Sequence, residues 1–316
     1  MRFVIDETSW RFDALAPDLC VDALETVLDR LDDAQAEGVL VCYSEDLFHT
    51  NVFHDKCFYD LYSDDSPIQI PMEVRERVGV LFNRLEKWQD LQYEWPESFF
   101  VTVESSTDDG KDAPSIAWAH KQTQDDTANA IGCLIFPGGG ETGICNVAVQ
   151  GVTIPLWFVG DHRQYVEFFR WLITCTTHSP AQLEEFSSSA FPSLDFVPGV
   201  FTGMKKMSKP YGELIGKVVS HLGVLSDYGE NCFAGLWADA PAKFGAHGVD
   251  VSDENGKTKA NSVAKKERTI TVDGNEVVFW WHSKLERDRD RIHFSPDKLS
   301  AGGQLLVGII CRHLTN

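Results

Sequence analysis

The alternation of apolar and polar positions divides the first part of the chain into strands and a helix. RFVIDETSW predicts an opening strand, and VLVCYS predicts a second strand that is buried. Between them, CVDALETVLDRLDDAQAEG carries apolar residues at helical spacing, with Asp18 as the expected N-cap and Gly38 as the stop. This strand, helix and strand favour a partly parallel sheet.

The middle of the chain shows the same alternation, with more turns. PMEVRERVGVLFNRLEKWQ predicts a second helix, SSTDDGKDAP an exposed loop, and AIGCLIFP, NVAVQG and TIPLWFVG three short strands. HRQYVEFFRWLITC predicts a further helix. The segment SSSAFPSLDFVPGVFTG is rich in serine, proline and glycine and is the best candidate for a boundary. We therefore predict an acidic α/β domain over residues 1–200 and a second domain over residues 201–316.

The last third of the chain turns from helix to strand. YGELIGKVVSHLGVL predicts a helix that ends near SDYGEN, and SDENGKTKANSVAKKER predicts a polar loop. EVVFWWHSKL, RDRIHF and QLLVGIICRHL then predict successive strands. The expected fold class is α+β: an N-terminal α/β region with a mixed sheet, followed by a C-terminal antiparallel sheet domain with packed helices.

Charge is spread unevenly along the chain. The net charge is −20; residues 251–316 carry 11 Lys+Arg against 9 Asp+Glu, and the rest carries 17 against 39. A polyanion would be repelled by the larger part and accepted only at a local site in the smaller part. This argues against non-specific binding of nucleic acid. It is compatible with a local site or with an acidic surface that docks a basic partner.

Composition also narrows the compartment and the chemistry. No apolar run approaches the roughly 20 residues that cross a bilayer, so we expect no membrane partner. The eight cysteines show no paired spacing, which favours free thiols in a reducing cytoplasm. Signatures of serine hydrolases, zincins and dinucleotide-binding proteins are absent from the sequence. We therefore expect neither a cofactor nor a metal ion.

Basic and imidazole side chains gather in the final strands. Period-two geometry puts His282 and Lys284 on one face of a strand and Arg291 and His293 on one face of the next. An antiparallel pair of these strands would suit metal-independent cleavage of a phosphodiester, in which His or Lys removes the 2′-hydroxyl proton and Arg stabilises the phosphorane. The alternative is a solvated face in which Lys284 and Arg289 pair with Glu286 and Asp288.

The order of these last elements resembles the C-terminal half of the RelE/ParE toxin superfamily of mRNA interferases. The resemblance covers roughly the last 50 residues: a tryptophan-containing strand that ends in lysine, then R-I-x-F, then V-G-I-I-x-x-H-L. It implies a ribonuclease-like α+β core, helices within 205–248, and basic catalytic groups at Lys284, Arg291, His293 and His313. HLGVLSD and AFPSLDF also resemble uncharacterised bacterial proteins of phage-defence neighbourhoods.

Three functions remain open from the sequence. The working hypothesis is an antiviral, toxin-like endoribonuclease that acts on RNA in the cytoplasm through Lys284, Arg291 and His293, assisted by His282 or His313. The second is a non-catalytic adaptor or inhibitor whose acidic surface docks a partner protein of a defence system. The third is a PIN-like magnesium nuclease, in which Asp6 joins Glu45 and Asp46 from another strand end.

Overall fold

A computed structural model of the chain describes residues 2–104, 110–175, 179–286 and 289–315. The chain divides into two compact units, Met1–Phe168 and Phe169–Asn316. The helices of the described residues, apart from short 3-10 turns, are α1 (Pro17–Ala36), α2 (Met72–Phe82), α3 (Pro114–Asp125), α4 (His162–Cys175), α5 (Ala181–Ala190), α6 (Tyr211–Phe233), α7 (Ala240–Ala246), α8 (Gly256–Ala260) and α9 (Ser262–Glu267).

Most strands of the described residues are two to four residues long, and each unit has one strand of eight residues. Those of the first unit are β1 (Phe3–Ile5), β2 (Val41–Tyr43), β3 (Asn51–Phe53), β4 (Lys56–Cys57), β5 (Glu86–Lys87), β6 (Phe100–Val103), β7 (Lys111–Asp112), β8 (Gly132–Leu134), β9 (Gly143–Val149) and β10 (Val152–Val159). Those of the second unit are β11 (Leu194–Phe196), β12 (Val251–Asp253), β13 (Thr269–Val272), β14 (Asn275–Val278), β15 (Trp281–Lys284), β16 (Asp290–Ser295) and β17 (Leu305–Arg312).

The first unit is built on a mixed sheet with the strand order β5-β2-β1-β8-β10-β9-β6-β7. The first five strands in this order pair in parallel, and β9 pairs antiparallel with both β10 and β6. Central parallel strands are covered on both faces, which explains why β1, β2 and β8 are buried at every position. The predicted mixed sheet of the N-terminal region is confirmed.

Helix α1 follows the predicted apolar stripe but begins before its predicted cap. Leu24, Leu28 and Leu31 are fully buried, and the helix ends just before Gly38, whose φ is +72°. Proline needs no hydrogen-bond acceptor at the start of a helix, so Pro17 opens the first turn with Ala16 as its N-cap. The prediction of Asp18 as the N-cap is therefore wrong, since Asp18 lies within the first turn.

The second unit contains a five-stranded sheet with the order β11-β17-β16-β15-β12. The pairs β12–β15, β15–β16 and β16–β17 are antiparallel, and only the pairing of β11 with β17 is parallel. Strand β16 is buried at all six positions, because it lies at the centre of this sheet. An antiparallel C-terminal sheet accompanied by helices confirms the predicted α+β class.

Two local predictions in this unit need correction. Helix α6 does not end near SDYGEN but continues through it to Phe233, and Gly229 within it lies against Leu305, leaving no room for a Cβ atom. The segment predicted as a polar loop before the last strands folds into the end of β12 and the helices α8 and α9. Asn255 and Asn261 cap these two short helices with their side chains, which the composition of the segment concealed.

The two units divide between Phe168 and Phe169, whereas the sequence predicted the boundary at residue 200. The segment from 169 to 200 therefore belongs to the second unit. This segment includes β11, which pairs with β17 and so belongs with the C-terminal sheet.

All eight cysteines lie in the described part of the chain and are free thiols. Within the described residues, none of the helices combines the length and the apolar character that crossing a membrane requires.

Candidate functional site

The antiparallel pair β15–β16 places the basic and imidazole residues of the C-terminal strands opposite one another. In its register His282 lies opposite His293, and Lys284 lies opposite Arg291. Because side chains alternate between the faces of a strand, these four residues share one face, as the period-two pattern predicted. Their convergence is therefore a property of the fold, whereas their catalytic role stays a prediction.

This face forms part of the wall of a cavity of about 210 Å³. His313, which follows β17, lines the same cavity, so all five residues that the sequence nominated meet there. The remaining lining residues are Ser252, Asp253, Glu254, Asn255, Arg268 and Leu314. We call this cavity the C-terminal pocket.

His293 is held in one orientation inside the pocket. Only 1% of its surface is exposed, and its Nδ1 lies 3.3 Å from the carbonyl oxygen of Phe279. A carbonyl oxygen can only accept, so Nδ1 carries the proton and Nε2 carries a lone pair. Nε2 is buried and has no hydrogen-bond partner within the described part of the chain. Burial, reinforced by His282 and then Arg268, lowers the pKa of His293 well below its ordinary value.

His282 lies beside His293, with the two ring centres 5.3 Å apart. Its Nε2 is 3.1 Å from the hydroxyl of Ser252, and its Nδ1 is 3.5 Å from Oε1 of Glu254 without forming a hydrogen bond. Burial lowers the pKa of His282 to about 4, although the carboxylate of Glu254 acts in the opposite direction. Both imidazoles are therefore neutral at neutral pH.

Glu254 and Arg268 form a buried ion pair at the pocket that the sequence analysis missed. The guanidinium donates to Oε1 of Glu254 at 2.7 Å and 3.1 Å, and it also donates to the carbonyl oxygens of Ala264 and Thr315. Arg268 is 1% exposed, and the side chain of Glu254 is 8% exposed. The two residues lie fourteen positions apart in a segment without strand or helix periodicity, so no pattern in the sequence marks them.

Lys284 and Arg291 supply positive charge to the pocket in different ways. Lys284 Nζ lies 2.9 Å and 3.1 Å from the two carboxylate oxygens of Asp250. The guanidinium of Arg291 donates to the main-chain carbonyl oxygens of Glu286 and Asp290. The alternative prediction that Lys284 pairs with Glu286 is wrong, because the carboxylate of Glu286 contacts Lys209 and Lys217. The predicted partner Asp288 lies outside the described residues.

The acidic residues proposed for a PIN-like site do not gather in the same way. Asp6 is buried after β1, and its Oδ1 accepts from the main-chain N–H and the hydroxyl of Thr8, at 2.9 Å and 2.6 Å. Glu45 and Asp46 are exposed after β2. Across the described part of the chain, one group of at least three His, Cys, Asp and Glu side chains lies close enough to share a metal ion, and it is not this one. That group belongs to the C-terminal pocket.

Comparisons of the chain with protein-family models, with curated proteins and with solved structures find no match. Function must therefore be argued from the pocket itself. The pocket combines the imidazoles of His282, His293 and His313, the carboxylates of Asp253 and Glu254, and the cationic side chains of Arg268, Lys284 and Arg291. Such a set can bind an anionic group, and it can also offer nitrogen and oxygen ligands to a cation.

Proposed function

We propose that this chain is an endoribonuclease of a bacterial defence system, active in the cytoplasm, and that the C-terminal pocket is its active site. The observation that carries this proposal is the convergence of Lys284, Arg291, His282, His293 and His313 on one cavity. A docking protein has no need to gather these groups in a concave site, whereas cleavage of a phosphodiester requires it. The pocket is smaller than the roughly 300–1,000 Å³ of sites that enclose a whole ligand. We expect it to take one phosphate group of the strand.

The roles of the residues follow from their positions. Arg291 and Lys284 stabilise the negative charge that grows on the phosphate when the ribose 2′-oxygen attacks phosphorus. The lone pair on Nε2 of His293 accepts the proton of the attacking 2′-hydroxyl and so acts as the general base. His313 lies in the exposed part of the pocket lining and delivers a proton to the departing 5′-oxygen. A bond forms from the 2′-oxygen to phosphorus and the bond to the 5′-oxygen breaks, which leaves a cyclic phosphate and a free 5′-hydroxyl.

The test is an RNA-cleavage assay with the purified full chain. We expect Lys284→Met to lower the rate by about 10²–10³-fold, the range found when one group that stabilises a transition-state charge is removed. Lys298→Met is the matched control, because Lys298 also belongs to the second unit and pairs with an aspartate, Asp195, but lies outside the pocket. Products should end in a cyclic phosphate. RNA that stays intact under every condition would falsify the proposal.

A chelator arm separates two mechanisms in the same pocket. The sequence predicts that cleavage continues in EDTA, because the reaction described above needs only side chains. Cleavage that stops in EDTA and is still lost in Lys284→Met would keep the pocket as the active site and replace the metal-independent mechanism. Chelator-sensitive cleavage that is unaffected by Lys284→Met would show that the pocket is not the active site.

A further inference from the structure

Three potential ligand atoms meet in the wall of the C-terminal pocket. Glu254, His282 and His293 each offer one atom, and these atoms all lie within 4.8 Å of one another. Two come from the facing positions of β15 and β16, and the third follows the end of β12, the strand next to β15. The sheet therefore fixes the backbone positions of all three.

One imidazole nitrogen of each histidine in this group has no hydrogen-bond partner among the described residues, although it is buried. Nδ1 of His282 and Nε2 of His293 are buried, and neither makes a hydrogen bond to any residue that the structure describes. The two histidines are 7% and 1% exposed, and both line the pocket. A buried polar atom without a partner is costly, and such an atom in a native protein calls for an explanation. A cation held between these nitrogens and the carboxylate would provide one.

We propose that Glu254, His282 and His293 bind a divalent first-row transition metal ion, with zinc as the representative ion. Two imidazoles and one carboxylate suit zinc, iron, nickel or manganese, whereas magnesium and calcium prefer oxygen ligands alone. Ligand bonds of roughly 2.0–2.1 Å in a tetrahedral site put donor atoms about 3.3 Å apart. Nδ1 of His282 and Oε1 of Glu254 are already 3.5 Å apart, and no separation within the group exceeds 4.8 Å, so the donor atoms must close by up to about 1.5 Å when an ion binds.

Contacts behind the three ligands hold them in the orientation that a metal ion needs. The carbonyl oxygen of Phe279 fixes the proton of His293 on Nδ1, which leaves Nε2 to coordinate. The hydroxyl of Ser252 contacts Nε2 of His282 and leaves Nδ1 to coordinate. Hydrogen bonds from Arg268 orient the carboxylate of Glu254. Outer contacts of this kind are typical of metal sites whose ligands are neutral histidines.

Two of the Lys and Arg side chains that line the pocket among the described residues are paired with carboxylates. Arg268 is paired with Glu254, and Lys284 is paired with Asp250. Three protein ligands leave a fourth position open on a tetrahedral ion. Because the ligands line the pocket, that position is available to water or to an oxygen of an anionic group held by Arg291. The metal site goes beyond the proposed ribonuclease and does not depend on it. Because Nε2 of His293 cannot coordinate an ion and accept the 2′-hydroxyl proton at once, bound zinc should inhibit the metal-independent cleavage.

The experiment measures zinc binding to the full chain, after removal of metal with a chelator and in the absence of RNA. Isothermal titration should show one zinc per chain, and cobalt substituted for zinc should give the visible absorption of a tetrahedral ion. We expect Glu254→Gln and His293→Ala each to weaken binding by more than about 100-fold, and Ser252→Ala by about 10–100-fold, as for a contact behind a ligand. His49→Ala and His54→Ala, which change histidines of the first unit, are the matched controls and should bind as the wild type does.

A second measurement on the wild type excludes artefacts of folding and of cysteine binding. X-ray absorption at the zinc edge should show nitrogen and oxygen ligands at roughly 2.0–2.1 Å, with no sulfur at roughly 2.3 Å. Sulfur ligands would assign the ion to some of the eight free thiols and overturn the proposal. Absence of saturable binding, or binding unchanged in both ligand variants, would also overturn it. A chain that binds zinc through these residues but leaves RNA intact keeps the metal site and loses only the ribonuclease.

Discussion

Both units bury ionisable side chains next to their central strands, and in the second unit such side chains line the C-terminal pocket. In the first unit Asp6 and Glu7 follow β1, and burial raises the pKa of both, that of Glu7 to about 7. In the second unit burial lowers the pKa of His282 and His293. Burial disfavours the charged form in both cases. Burial thus favours the neutral form of the two buried acids in the first unit and of the two histidines of the candidate site in the second.

The hydrogen-bond donors to the buried carboxyl groups also differ between the two units. Glu7 accepts from the main-chain N–H of Ser115 at 3.1 Å, and Asp6 is bound by Thr8. These are neutral donors of the protein's own backbone and side chains. In the second unit Glu254 is bound by the guanidinium of Arg268. A full charge pair is more sensitive to loss of one partner than a neutral hydrogen bond, which gives the comparison measurable consequences.

The largest effect is expected when the buried pair of the second unit is broken. Arg268→Met leaves the carboxylate of Glu254 buried without its counter-charge, and we expect the free energy of unfolding to fall by about 3–5 kcal/mol. The control is Lys259→Met, which breaks an exposed pair with Asp253 and should cost about 1 kcal/mol or less. Urea denaturation followed by circular dichroism measures both. Equal losses in the two variants would mean that Glu254 does not need Arg268.

A smaller, pH-dependent effect is expected in the first unit. The folded pKa of Glu7 is about 7 and its ordinary value is 4.5, so folded protein keeps a proton that unfolded protein releases between these values. This contribution to stability is fully present below pH 4.5 and is lost as the pH rises through 7. Glu7→Gln removes the dependence and should gain up to about 3 kcal/mol over the wild type between pH 4 and pH 8.

The control for Glu7 is Glu25→Gln, which changes an exposed carboxyl on α1. Denaturation at several pH values compares both variants with the wild type. Because Asp6 also raises the pKa of Glu7, the difference between Glu7→Gln and the wild type reports on the two acids together. Parallel pH profiles for the wild type and Glu7→Gln would show that Glu7 ionises normally in the folded protein.

A still smaller effect on stability is expected at the rim of the C-terminal pocket. The side chain of Asp250 is 62% exposed, and water screens its pair with Lys284. Asp250→Asn should therefore change the free energy of unfolding by less than about 1 kcal/mol. A loss as large as that of Arg268→Met, measured in the same urea experiment, would show that the rim is as important to folding as the buried pair.

No effect on RNA cleavage is expected from the covered acid of the first unit. Asp6→Asn keeps an oxygen that accepts from Thr8 and should cleave RNA at the wild-type rate. Circular dichroism verifies that the variant is folded. Chelator-sensitive cleavage that disappears in Asp6→Asn would reverse the comparison, because it would move the active site to the first unit and favour the PIN-like hypothesis.

Periodic segments of this chain were predictable, and the contacts that shape the site were not. The strand pattern around His282 and His293 was enough to place their side chains on one face, because residues two apart on a strand always share a face. The sequence also predicted the mixed sheet of the first unit and the α+β class, and both are confirmed. The caps of α8 and α9 were not predicted, because Asn255 and Asn261 act through local side-chain contacts rather than through a repeating pattern.

Sequence by itself determined which chemical groups the last strands carry and which of them share a face. Only the tertiary structure decided which side chains surround these groups. Glu254 and Arg268 lie near the two histidines, although both come from a segment that the sequence predicts to be a polar loop. It also decided that burial keeps the imidazoles neutral, since the pKa of a side chain depends on neighbours far away in the chain. Periodicity acts along one strand, whereas desolvation and ion pairing act across space, and the second kind of information exists only once the chain has folded.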